Sequence, residues 1–176
     1  MLKMIRVDNI DYTTLYNGAQ ELVDMYRQEL ETQKVNASGS LSDTATFDFD
    51  FNENNISLYF ILNSYYWYLE KGRKGTGGGA GQKWPNPVGD IEQWIRNKIS
   101  RGYWVPRANQ TIPHTDNEVK RVAYGILHKI HTKGYTGYHI LEYVLNKAEA
   151  TGLLDKMVQS VVSAYDDEVQ VELNKF

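Results

Sequence analysis

The glycine run that begins at Gly75 is the first stretch whose residue types suggest chemistry. Glycine turns hold phosphates when backbone N–H groups and a helix N-terminus converge on the anion, and the P-loop form needs Gly-x-x-x-x-Gly-Lys-Ser/Thr between a strand and a helix. Here Gly81 is followed by Gln82, Lys83, Trp84 and Pro85, so the lysine spacing and the hydroxyl are both wrong. Gly75-Thr76-Gly77-Gly78-Gly79-Ala80 fits the dinucleotide pattern Gly-x-Gly-x-x-Ala only formally, because a glycine-rich run meets it by composition and no βαβ unit accompanies it. His128 and His131 have a usable metal spacing, but no His-Glu-x-x-His motif and no cysteine support them. They read as flanks of the apolar stripe made by Leu127 and Ile130. Asp166 and Asp167 read as a solvated pair, and no Gly-x-Ser-x-Gly elbow is present. We therefore assign no catalytic, cofactor-binding or metal-ligating residue, and expect no enzyme.

What remains is a surface for contact. Between residues 65 and 107 aromatics interleave with bases: Trp67, Lys71, Arg73, Lys74, Lys83, Trp84, Arg96, Arg101, Trp104 and Arg107. From Lys71 to Arg107 eight bases face two acids, a window of +6 that leaves −9 on the rest of a chain whose net charge is −3. A chain divided this way can present faces of opposite sign to its neighbours or to its own copies. Thirteen Tyr and four Trp in 176 residues add to this, since both types are enriched at protein interfaces. The competing interpretation places Trp67 and Trp94 in the core, with solvated bases around them. For nucleic acid the interleaving suits sequence-independent contact, but the chain as a whole is acidic and carries no recognised nucleic-acid motif.

The elements that must position these residues can be read from periodicity. Apolar residues Leu15, Ala19, Leu22, Val23, Tyr26 and Leu30 predict a long amphipathic helix from about Ile10 to Lys34. Phe47, Phe49 and Phe51 alternate with Thr46, Asp48 and Asp50, and after the turn Asn52-Glu53-Asn54-Asn55 a second alternation runs from Ile56 to Leu62. This is an antiparallel hairpin. Tyr59 and Ile61 make its reverse face apolar as well, so we expect a helix or a neighbouring subunit to cover it. Tyr65 to Leu69 is either one or two helical turns ending at Gly72 or a third strand. Asn86-Pro87 starts a helix that bears Val88, Ile91, Trp94, Ile95 and Ile99 and ends at Gly102. Thr115 to Glu118 is a capping box for a helix bearing Val119, Val122, Ala123, Ile126, Leu127 and Ile130, with a stop at Lys133-Gly134. A further helix runs from about Tyr138, is interrupted at Gly152, and continues to about Tyr165. Val169, Val171 and Leu173 alternate with polar residues and predict a short C-terminal strand.

These elements make an α+β fold: a long N-terminal helix and an antiparallel hairpin sheet packed against three or four helices. We expect a single domain over residues 1–165 with a glycine-rich loop at 71–85, and a C-terminal arm or strand at 166–176. The chain is long enough to bury a core without staples, and with no cysteine it has no disulfides. No segment approaches the roughly 20 apolar residues of a membrane span, and no targeting signal is apparent, so a soluble protein made in the cytoplasm is expected.

The order of these landmarks resembles that of the tail-completion, or head-to-tail joining, proteins of tailed bacteriophages. The resemblance is carried by Ser38-Gly39-Ser40-Leu41, by Tyr65-Tyr66-Trp67-Tyr68-Leu69-Glu70-Lys71-Gly72, by the helix around Trp94, and by the helix with Ala123, Ile126, Ile130 and Gly134. It covers about Asp11 to Ala150. Two stretches depart from the pattern: the loop after Gly72 is longer and richer in glycine and lysine, and the segment after Gly152 has no counterpart. The resemblance implies a non-enzymatic virion component. It would form a homo-oligomeric ring in the neck that joins portal and head to tail and lines the DNA exit channel. The partners implied are further copies of the chain and the portal, adaptor and tail proteins, with non-specific contact to genomic double-stranded DNA and no membrane. On this reading Gly39, Leu41, Tyr65, Tyr68, Glu70, Gly72, Trp94, Ala123, Ile126, Ile130 and Gly134 are framework. Lys71, Arg73, Lys74, Lys83, Trp84, Arg101, Trp104, Arg107, Val169, Val171 and Leu173 are the loop and arm contacts. The alternative, from a different class, is a nucleic-acid-binding accessory protein that uses the basic aromatic stretch 65–107.

Overall fold

The computed structural model describes residues 10–52, 55–75, 86–106 and 111–173, with 164–173 described by backbone alone. Among these, seven helices and two small antiparallel sheets make an α+β fold. They fall into two compact units, one within Met1–Glu29, Thr44–Leu62 and Leu141–Phe176, the other within Leu30–Asp43 and Asn63–Ile140.

The first unit is built on α1 (Tyr12–Thr32), which supplies residues to both units. Asp11 precedes α1, and its carboxylate accepts from the backbone N–H groups of Thr13 and Thr14, satisfying donors that a helix start leaves open. The Thr14 hydroxyl and N–H hold the Asp11 carboxyl below its usual range. Leu15, Ala19 and Leu22 pack with Ala148 of α6 (Ile140–Ala150) and with Leu153 and Met157 of α7 (Leu153–Leu173). The hairpin of β1 (Thr46–Asn52) and β2 (Asn55–Ile61) presents Phe47, Phe49, Ile56, Leu58 and Phe60 to that cluster. Its register pairs Asp48 with Tyr59 and Thr46 with Ile61. Gly18 allows α7 to come close: a Cβ there would lie 2.6 Å from Met157 Sδ.

The second unit packs α4 (Pro87–Ser100) against α5 (Asp116–Thr132) through Ile91, Ile95, Val119 and Ala123. The capping box of α5 is formed as expected, with Thr115 Oγ1 accepting from the Glu118 N–H and the Glu118 carboxylate accepting from the Thr115 N–H. Asn86 stands at the N-cap of α4 without a capping bond from its side chain, and Pro87 opens the helix. The Tyr-rich block resolves as the short helix α3 (Tyr66–Lys71) running into β3 (Gly72–Lys74), with Gly72 as its C-cap. β3 pairs with β4 (Gly134–Thr136), matching Arg73 to Tyr135. A second short helix, α2 (Ser40–Asp43), lies in the polar exit of α1.

One expectation is corrected and a second is narrowed. Val169, Val171 and Leu173 lie in the last turns of α7, not in a strand or an arm. Extending a formed helix adds one hydrogen bond for each residue fixed, and that gain outweighs a three-position alternation with no strand beside it. Of the two covers expected for the reverse face of the hairpin, a helix is absent among the described residues, with Tyr59 52% and Ile61 48% exposed. No helix of the described residues is long and apolar enough to cross a membrane.

Candidate interaction surfaces

The segment Tyr65–Lys74 builds a face from a helix too short to hide its own aromatics. Six residues bury one side of α3, and Leu69 and Glu70 occupy it. Trp67, at 54% exposure, and Tyr65 and Tyr68 are thereby left outside. The alternative that put Trp67 in the core is therefore corrected. Lys71 Nζ lies 5.8 Å from the Trp67 ring centroid, which places a cation beside the aromatic surface. Lys74 is exposed as well, and Arg73 is half-buried.

The β3–β4 ribbon fixes this face from behind. Gly72 and Gly134 both have positive φ, and a Cβ at either would strike backbone of the opposite strand, so only glycine lets the strands approach. The Tyr138 N–H extends the contact by donating to the Leu69 carbonyl at 2.8 Å. Tyr65 and Tyr135 share a hydroxyl hydrogen bond. Burial of its hydroxyl, together with the neighbouring Tyr65, pushes Tyr135 up to about 12, and burial likewise raises Tyr65. These phenols stay neutral and hydrogen-bonded at physiological pH. The pairing partner of β3 has one sequence trace, the Gly-Tyr-Thr-Gly-Tyr run from Gly134 to Tyr138.

At the C-terminal end of α4 the bases are held by neighbouring groups. Arg101 Nη1 donates to the Asn36 carbonyl at 2.9 Å and lies 3.3 Å from Glu31 Oε1. Asn36 is buried, and its Nδ2 donates at 2.7 Å both to Glu31 Oε1 and to Ser42 Oγ. Gly39, with φ +87°, leaves room for the guanidinium, since a Cβ there would lie 2.9 Å from Arg101 Nη2. The Ser38-Gly39-Ser40-Leu41 segment is thus a structural clasp, with Leu41 buried beneath it. Lys98 Nζ lies 4.8 Å from the Trp94 ring, and burial, then the nearby Lys34, lower its pKa. Trp104 meets Trp94 edge-on at 6.5 Å and packs against the α4–α5 core. Trp94 keeps about a third of its surface exposed, so it rims the core rather than filling it.

The expected contact residues therefore divide. Lys71 lies beside Trp67 on α3, and Arg73 and Lys74 follow in β3 with their side chains on alternate faces of the strand, whereas Arg101 is tied to the Asn36 carbonyl and Trp104 packs against the α4–α5 core. Lys83, Trp84 and Arg107 lie outside the described residues, and Val169, Val171 and Leu173 are described by backbone only. Of the framework residues, Ala123 and Gly134 are buried, and Ile126 and Ile130 are partly so. Asn36 and Tyr135 are the features that sequence patterns missed, and the acidic side of the hairpin face was read only as solvated. Asn36 stands in a polar helix exit where any asparagine looks solvated, and the hairpin face carried a signal only in Tyr59 and Ile61.

The hairpin face is the second candidate surface. Strand alternation sets Asp48 and Asp50 beside Tyr59 and Ile61, all four exposed. Neither aspartate pairs with a cation among the described residues. Both candidate surfaces offer aromatic contact area and fixed charge. No group of three or more histidines, aspartates or glutamates among the described residues is placed to hold a metal ion. No family model matches the chain, and no curated protein or solved structure does so.

Proposed function

We propose that this chain is a structural protein of the neck of a tailed bacteriophage. It assembles in the host cytoplasm as a homo-oligomeric ring that joins portal and head to tail and lines the DNA exit channel. Its partners are its own copies and the portal, adaptor and tail proteins, and its role is mechanical rather than catalytic. The observation that carries this reading is the exposed face of Tyr65, Trp67 and Tyr68 flanked by Lys71 and Lys74. A monomer gains nothing by leaving large aromatics in water, and contiguous exposed apolar area marks contact sites. The order of sequence landmarks that resembles the tail-completion proteins supports the reading independently.

Light scattering on the purified protein across a concentration series, alone and with portal-proximal proteins of the same virus, tests it. Self-association or capture of a neck component is expected. A protein that stays monomeric and binds neither at high concentration contradicts it.

A second reading, a nucleic-acid-binding accessory protein, is favoured by one detail: Lys71 held against an exposed Trp67 resembles a stacking platform beside a phosphate contact. Binding to DNA that falls steeply with salt, by a protein that remains monomeric, would select it.

A further inference from the structure

We propose that the reverse face of the β1–β2 hairpin docks on the α3–β3 face of a second copy of this chain. The proposal rests on the ring reading above and gives that ring its two contacting surfaces.

The hairpin face is acidic and apolar at once. The register places Asp48 opposite Tyr59 and Asp50 opposite Ser57, with Thr46 opposite Ile61. Tyr59 and Ile61 are about half exposed, a poor state for two large apolar residues on one sheet face. The α3–β3 segment is its chemical complement: Tyr65, Trp67 and Tyr68 supply exposed aromatic area, Lys71 lies beside Trp67, and Arg73 and Lys74 add positive charge on the two faces of β3. No carboxylate pairs with these three bases among the described residues, as no base pairs with the two aspartates.

Charge then selects the mode of association. Two hairpin faces brought together would oppose aspartates with aspartates, and two α3–β3 faces would oppose bases with bases. Like-charge juxtaposition costs several kcal/mol at an interface, whereas opposite potentials steer and register it. Only the unlike pairing joins acid to base while covering aromatics on both sides. Where each patch meets a different neighbouring copy, as a ring requires, such contacts repeat from copy to copy until they close.

Charge reversal tests the pairing. Asp48→Lys with Asp50→Lys makes both faces positive, and Lys71→Glu with Lys74→Glu makes the α3–β3 face negative to match the hairpin. Sedimentation of each variant, with circular dichroism to establish folding, should show self-association weakened at least about tenfold. An equimolar mixture of the two variants, and the chain carrying all four substitutions, should assemble again, because each restores unlike pairing. If the wild type assembles and the reversals leave assembly unchanged, or if the four-fold variant does not recover, the surfaces are wrong although a ring exists. If the wild type never assembles, the ring reading falls and this pairing with it. If the Lys71→Glu, Lys74→Glu variant assembles normally but loses retention of duplex DNA at low salt, the basic face serves nucleic acid and the pairing is overturned.

Discussion

Gly18 shows how a residue that weakens its own helix can stabilise the packing around it. In an exposed helix interior, glycine costs about 1 kcal/mol relative to alanine, yet here the missing Cβ leaves space for Met157 Cγ and Sδ. Overpacking a tight contact costs about 2 kcal/mol, so Gly18→Ala should lower stability by about 1 kcal/mol despite the better propensity. In a Met157→Ala background the same substitution should become stabilising, and urea unfolding of the four chains checks the sign change. Glu118 makes a pH-dependent prediction. Its carboxylate accepts from the N–H groups of Thr115 and His114, which lower its pKa from 4.5. The stability it adds is therefore complete above 4.5 and is lost as the pH falls through the lowered folded value. The thermal midpoint of the wild type should exceed that of Glu118→Gln at neutral pH, and the gap should close in acid. A gap independent of pH would show that the carboxylate charge is not what the cap uses. The capping box was legible in the sequence because all of its information lies within four consecutive residues, Thr115 to Glu118. The clasp at Asn36 was not, because its partners Glu31, Ser42 and Arg101 come together only when the turn folds.

The same distinction operates among the elements. α1, the β1–β2 hairpin, α4 and α5 were legible because each carries its own period and its own start or stop signal. β3 and β4 are three residues each and far apart in sequence; neither has room for a period, and their glycines read equally well as helix stops. The C-terminal alternation at Val169, Val171 and Leu173 misled for the opposite reason, since a local pattern was overruled by propagation of a long helix. The β3–β4 ribbon nevertheless governs the aromatic face, because α3 leads directly into it. Gly134 has φ +72° and backs onto the Arg73 carbonyl, a backbone group that cannot move aside. Gly134→Ala should cost about 2 kcal/mol for the left-handed conformation alone. It should also raise the protease sensitivity of the chain around Gly72. Unchanged stability and unchanged cleavage would mean that the ribbon does not hold the face.

At the scale of the whole molecule, the uneven charge of the sequence reappears as two surfaces of opposite sign, one on the hairpin and one on α3–β3. What the sequence could not divide was the basic set itself. Lys71, Lys74 and Arg101 are all exposed, but Arg101 alone of the three is tied down, by the Asn36 carbonyl and Glu31, a difference set by tertiary packing and not by residue type. Tyr65, Trp67, Tyr68, Tyr59 and Ile61 are left exposed on the two faces, and the proposed ring would cover them in neighbouring copies. Electron-microscope class averages of the purified wild-type protein at high concentration address the ring most directly. Closed rings of identical copies are expected, and a population of monomers alone would rule out the ring.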